Sequence, residues 1–136
     1  MSSQPSFLHA SLLVAAGGAA GSWLRFVTGR LWTGAIGPVA ASAFPYATLT
    51  VNVLGAFAMG VLAGWLARHG PPGESWRLAL GVGVLGGFTT FSAFALEFGL
   101  FVERGALGTA MLYVALSLIA GFGGLFAGLA LMRVAG

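Results

Sequence analysis

Cysteine and lysine are both missing from this chain, and carboxylates are scarce: three Glu stand against six Arg. Without cysteine there are no disulfides and no thiolate metal sites, and the redox compartment leaves no trace in the sequence. A net charge of +3 is too sparse for a nucleic-acid footprint, and the pI near 10.7 reflects the lack of carboxylates rather than a basic surface. Charged residues make up only 7% of the 136 positions, too few to clothe a water-soluble protein. What is abundant is apolar: 58% of residues are hydrophobic, and the mean hydropathy is +0.96. The chain is a membrane protein whose first partner is the lipid bilayer. Glycine, 23 of 136 residues, far exceeds its usual share of roughly 7%, so many backbones approach one another closely.

Met1 to Ser6 form a short polar start without the basic flank of a cleavable signal peptide. Four apolar spans follow, at about 7–27, 46–67, 76–102 and 106–132, each near the roughly 20 residues a bilayer needs. Together they make one all-α membrane domain over 1–136 with both termini on one side. Between the first two spans, Thr28 to Pro45 reads as a loop whose apolar residues and Trp32 suit an interface. Arg68 to Ser75, with Gly70, Pro71, Pro72 and Gly73, is the clearest turn in the chain, and Ser75 is placed to cap the third span. Arg68, Arg77 and Arg133 fall on the side of the termini, and Arg30 and Arg104 on the other, with Arg25 near it. That near-equality leaves two readings open: too few charges to orient the chain, or a chain that inserts both ways and pairs as an antiparallel, dual-topology homodimer. Every span carries a Gly-x-x-x-Gly (Gly17 and Gly21, Gly60 and Gly64, Gly83 and Gly87, Gly124 and Gly128), which in lipid marks close helix packing rather than chemistry.

The polar residues inside the spans are the informative exceptions. Asn52 must face protein or water, either bonded between helices or lining a path. Arg25 is near enough to a span end to snorkel to the interface, and otherwise adds positive potential at a vestibule. Glu97 costs about 2.5 to 3.5 kcal/mol to bury at a helix centre, so it pairs with a polar group or touches water. Tyr113, Ser117 and Gly121, spaced by four, share one face of the last span as a polar strip; alternatively Ser117 bonds its own helix and Tyr113 anchors at the interface. His9 and His69 have no third ligand beside them, so a metal site at either is unsupported.

The third span holds Gly86-Gly87-Phe88-Thr89-Thr90-Phe91-Ser92-Ala93-Phe94, which is hard to explain as membrane filler. As an unbroken helix, Trp76 to Val102 would run roughly 40 Å at about 1.5 Å per residue, longer than a bilayer core of about 30 Å. Its midpoint is Thr89, so the third helix is expected to break at mid-membrane. Carbonyls freed at that depth must be buried in protein or face water or an ion. In an antiparallel dimer two such breaks meet on the twofold axis, where their carbonyls suit one cation. Phe91 and Phe94 lie three apart on nearly one face, either as core packing or as ring edges carrying partial positive charge toward an anion. The absence of Lys avoids a deep well that would trap an anion, in keeping with conduction through weak sites.

These motifs carry a resemblance over nearly the whole chain. Gly17-Gly18-Ala19-Ala20-Gly21 through Arg25, Val51-Asn52-Val53-Leu54-Gly55 with Phe57 and Gly60, and above all Gly86 to Phe94 make the sequence similar to the Fluc (CrcB) family of fluoride ion channels. The resemblance implies an antiparallel dimer with two pores that exports fluoride passively across the cell's inner membrane, not an enzyme. It implies that Phe91 and Phe94 are the pore phenylalanines and Asn52 the pore asparagine. Ser92 and Glu97 correspond to pore-side polar positions, Tyr113 and Ser117 to the polar track of the last span, and Arg25 to the arginine of the first. Backbone carbonyls of Gly86 and Thr89 from both subunits correspond to a central structural sodium (Na+) that is not transported. Gly121 stands where the track usually has a serine or threonine, and Phe26 and Ala56 where Tyr and Ser are frequent. The alternative is a proton-coupled exporter resembling the small multidrug resistance proteins, which keep an essential glutamate in the first span; this first span has none. An assembly subunit without transport of its own would leave the third-span interruption unexplained.

Overall fold

The computed structural model describes residues 5–70 and 73–135. Met1 to Gln4 of the polar start, Pro71 and Pro72 of the central turn, and Gly136 lie outside the described residues. Among those described, all regular structure is helical.

Helix α1, Phe7–Ile36, starts where the Ser6 hydroxyl accepts the His9 N–H at 3.3 Å. It ends where Gly37 takes a φ of 82°, a conformation open to glycine and strained for other residues. The stretch expected to be a loop, Thr28 to Pro45, is therefore largely helix. No proline interrupts α1 before Pro38, and the hydroxyls of Thr28 and Thr33 donate to the Leu24 and Gly29 carbonyls one turn back. Pro38 opens the short α2, Pro38–Ala43, at a position where its missing N–H costs nothing. Helix α3, Tyr46–His69, closes at Gly70.

The third span begins with α4, Glu74–Trp76, and continues as a π-helix over Arg77–Leu85, α5, Gly86–Phe88, and then α6, Phe91–Glu103. Ser75 lies within α4 rather than capping it; the cap position is Gly73, and Glu74 is tied one turn on to Arg77 at 2.7 Å. Gly105, at φ 72°, turns the chain into α7, Leu107–Val134. Among the described residues, four helices are long and apolar enough to cross a membrane: Phe7–Ile36, Tyr46–His69, Glu74–Glu103 and Leu107–Val134.

They pack as two pairs. α1 lies along the π segment and α5, while α3 lies along α7, with α6 also against α7. The glycine pairs of all four spans sit at these contacts. A Cβ on Gly17 or Gly21 would strike the Ala79 or Val84 carbonyl, and one on Gly60 or Gly128 would strike the Leu125 or Phe57 carbonyl. Backbones thus touch backbones, the close approach that small residues permit in lipid. Few residues are fully buried. A buried cluster is formed by Phe101, Ala110 and Tyr113, with Phe44, Leu49, Phe94 and Phe98 packed on it. The outer surface is apolar, with Trp23, Phe26, Ile119 and Phe126 exposed.

The glycine contacts make a stability prediction. Gly21→Val, whose Cβ would also meet the Phe88 amide nitrogen at 2.8 Å, is expected to cost about 1–3 kcal/mol or more through overpacking. Gly108→Ala, with nothing within 4 Å, is expected to leave stability within about 1 kcal/mol of the parent. Melting curves in detergent check both; equal behaviour of the two variants would sink the close-packing account.

Candidate functional site

Thr89 and Thr90 leave helical backbone, at φ −82°, ψ 158° and φ −152°, ψ 120°. Both are β-branched and two glycines precede them, so the local sequence gives up helix readily. Extended backbone in apolar surroundings needs partners for each freed peptide group, and here they come from three spans. The Thr89 N–H donates to the Leu85 carbonyl at 3.0 Å. Its carbonyl accepts Nη1 of Arg25 at 3.1 Å. The Thr90 N–H donates to Asn52 Oδ1 at 2.7 Å, and the Thr90 carbonyl accepts Asn52 Nδ2 at 2.9 Å. An unbroken helix would have sent that Thr90 N–H to the Gly86 carbonyl. The Thr90 hydroxyl then caps α6 by accepting the Ala93 N–H at 3.2 Å, with Ser92 Oγ also 3.2 Å away. Gly55 makes room for all of this, since a Cβ there would run into the Thr89 methyl group.

One expectation changes and another is met. Arg25 does not snorkel outward but turns to Thr89, because a freed carbonyl within reach offers a charge-assisted hydrogen bond. Asn52 makes the interhelical bonds that were one of its two readings, and also lines a groove.

A second polar cluster surrounds Glu97. Its Oε1 accepts the Thr48 hydroxyl at 2.7 Å and its Oε2 the Tyr113 hydroxyl at 2.6 Å. A carboxylate only accepts, so two hydroxyl donors satisfy both oxygens and offset part of the burial cost. Tyr113 is 0% exposed and so is no interface anchor. Phe44 meets its ring edge-on at 5.5 Å and Phe94 lies tilted against it at 5.1 Å. Phe91 follows, 5.8 Å from Phe94, which makes a run of rings from the Glu97 cluster to the surface.

Three grooves meet around these residues. One of about 430 Å³ is lined by Asn52, Thr89, Thr90, Phe91, Phe94 and Ser117 among others. Its Ser117 hydroxyl is buried and has no hydrogen-bond partner among the described residues, an uncommon state for a buried polar group. A second, of about 530 Å³, holds Arg25, Thr48, Thr90 and Ser92. A third, of about 340 Å³, joins Arg25 and Arg30 to Thr48 and Glu97 under Trp32 and Tyr46, whose rings stack at 5.2 Å. Gly121 lines none of the three and faces open space. Gly86 is exposed at the chain surface. No group of three or more His, Cys, Asp or Glu fit to hold a metal occurs among the described residues.

Sequence reasoning missed Thr48, Thr90 and Phe44 as site residues. Thr48 had a readable signal, since it lies one turn before Asn52 and therefore on the same face of α3. Phe44 had none, because it sits in a connector whose path only the fold defines.

Residues 12–129 match the family described as CrcB-like protein, Camphor Resistance (CrcB). A protein of Novosphingobium aromaticivorans named fluoride-specific ion channel FluC is 60% identical over 126 residues, 93% of this chain and 98% of that one. Proteins of the same name from Rhodospirillum centenum and Caulobacter vibrioides are 55% and 51% identical, over 91% and 90% of this chain and 95% and 94% of theirs.

The Glu97 cluster is checked apart from any transport. Tyr113→Phe is expected to cost about 1–3 kcal/mol, since it leaves a carboxylate oxygen without its donor. In a Glu97→Gln background the cost should shrink, with a coupling of about 0.5–3 kcal/mol in a thermal double-mutant cycle. Strictly additive losses would show that the short bond contributes nothing specific.

Proposed function

Because the chain belongs to the CrcB-like family, we propose that it is a fluoride-selective ion channel, not an enzyme, which lowers cytoplasmic fluoride by passive export through the inner (plasma) membrane. Its four helices cross the bilayer as one multi-pass domain. The observation that carries this reading is the groove in which Asn52, Phe91, Phe94 and the unpartnered Ser117 hydroxyl meet. Fluoride gives up a tightly held hydration shell only against hydrogen-bond donors. Ser117 offers its hydroxyl, and Asn52 retains one amide N–H after bonding Thr90. The rings add the positive edges of their quadrupoles without a full charge. Ser92 and Arg25 line the adjoining groove, and Arg25, Arg30 and Glu97 the next. Tyr113 orients Glu97 from behind, and Gly121 leaves the far end of the strip without a hydroxyl.

The working unit in this reading is an antiparallel homodimer. Phe91 is 78% exposed in the single chain, and an inverted second copy would cover it and close the open groove. Thr89 falls near the middle of Glu74–Glu103, which supports a break at mid-membrane where those of two copies would meet on the twofold axis. A structural sodium there fits the residues in part. Gly86 is exposed, and its carbonyl has lost Thr90 as a partner. The Thr89 carbonyl already accepts Arg25, but an oxygen with two lone pairs has room for a cation as well. Bound there, the ion would supply positive charge that holds the two breaks together. The exporter alternative lacks support, since α1 contains no carboxylate.

Purified protein in liposomes is expected to release fluoride far faster than chloride, and Phe91→Ile and Phe94→Ile to slow fluoride by about tenfold or more, the equivalent of about 1.4 kcal/mol on the barrier. Equal efflux of the two anions would overturn the selectivity, and full flux in both variants would remove the rings from the path. Replacing sodium by N-methyl-D-glucamine on both sides should reduce flux or dimer stability; no change in either would remove the cation from the assembly.

A further inference from the structure

The two hydrogen bonds between Asn52 and Thr90 do more than fill a buried amide. They join both polar ends of one side-chain amide to the N–H and the carbonyl of one residue, at 2.7 and 2.9 Å. The Thr90 N–H only donates and its carbonyl only accepts, so the partner must present one acceptor and one donor side by side. A primary amide does so, and a carboxylate, a hydroxyl or an aliphatic side chain does not. Thr90 is 9% exposed, so water has little room to replace the lost partner.

We propose that Asn52 is a positioning residue for the ion path. It holds Thr90 extended by both of its backbone groups, and through Thr90 sets the direction in which α6 leaves and presents Phe91 and Phe94. The transmission is visible in the bonds. The Thr90 hydroxyl caps α6 at Ala93, at 3.2 Å, and Phe91 opens that helix directly after it. Arg25 fixes the neighbouring Thr89 carbonyl from the other side, at 3.1 Å. The two side chains come from α3 and α1, so the pair of extended residues is gripped between two spans. This role rests on the channel reading and is separate from any contact between Asn52 and the ion.

The test removes each half of the bond in the full-length protein. Asn52→Leu keeps the approximate shape and loses both polar ends. Replacing residue 90 by the α-hydroxy analogue of threonine turns its N–H into an ester oxygen and keeps the side chain. Hydrogen–deuterium exchange at the Thr90 amide is expected to speed up about tenfold or more in Asn52→Leu, while amides in α3 and α7 keep their protection. Fluoride flux in liposomes should fall in Asn52→Leu and in the ester variant, and fall no further when the two are combined. Unchanged exchange at Thr90, or flux losses that multiply, would overturn the proposal. Should Asn52→Leu fail to fold, the ester variant alone decides, with undiminished flux counting against the proposal. Exchange at Thr90 reads the clamp without reference to transport, so an unmodified protein that passes no fluoride would sink the channel reading alone.

Discussion

Two residues of non-helical backbone inside an apolar bundle are the constraint from which the rest of this molecule follows. Lipid offers no hydrogen bonds, so the peptide groups of Thr89 and Thr90 must all find partners within the protein. They find them in Leu85, Arg25 and Asn52. Those partners sit on three different spans, which ties α1 and α3 to the third span at one level. The most polar side chains of the interior are therefore spent on backbone as much as on any ligand.

The glycine contacts make that arrangement physically accessible. With α1 touching the π segment through bare backbone and Gly55 of α3 lying against the Thr89 methyl group, the first two spans come close enough to the third for an arginine and an asparagine to reach across. The Glu97 cluster obeys the same rule one turn and more away. A carboxylate is kept inside by hydroxyls from α3 and α7, and aromatic rings pack over the tyrosine that supplies one of them. Among the described residues, the unpaired Ser117 hydroxyl stands out because the other buried polar side chains have been answered.

The sequence made some of this legible and hid the rest for definite reasons. Four apolar stretches and their glycine pairs are local patterns, so four long helices and their contact points could be read directly. Hydropathy reports where a chain prefers lipid and not where its hydrogen bonds stop, which is why α1 was expected to end near Val27 and instead runs to Ile36. Ser75 looks like a cap by residue type, but the chain enters helix at Glu74, beside its Arg77 partner. The reach of Arg25 depended on a carbonyl 64 positions later, and the partners of Glu97 lie 49 and 16 positions away. No local rule couples such distant residues. The π segment at Arg77–Leu85 likewise has no signature in its composition.

Arg25 and Asn52 both precede Thr89 and Thr90 along the chain, and this order matters during biosynthesis. Chains emerge from the amino terminus, so the first two spans leave the ribosome before the third. The two side chains that receive the irregular peptides are therefore made before those peptides are. Had the same partners stood on α7, the irregular backbone would have been made before the groups that pair with it.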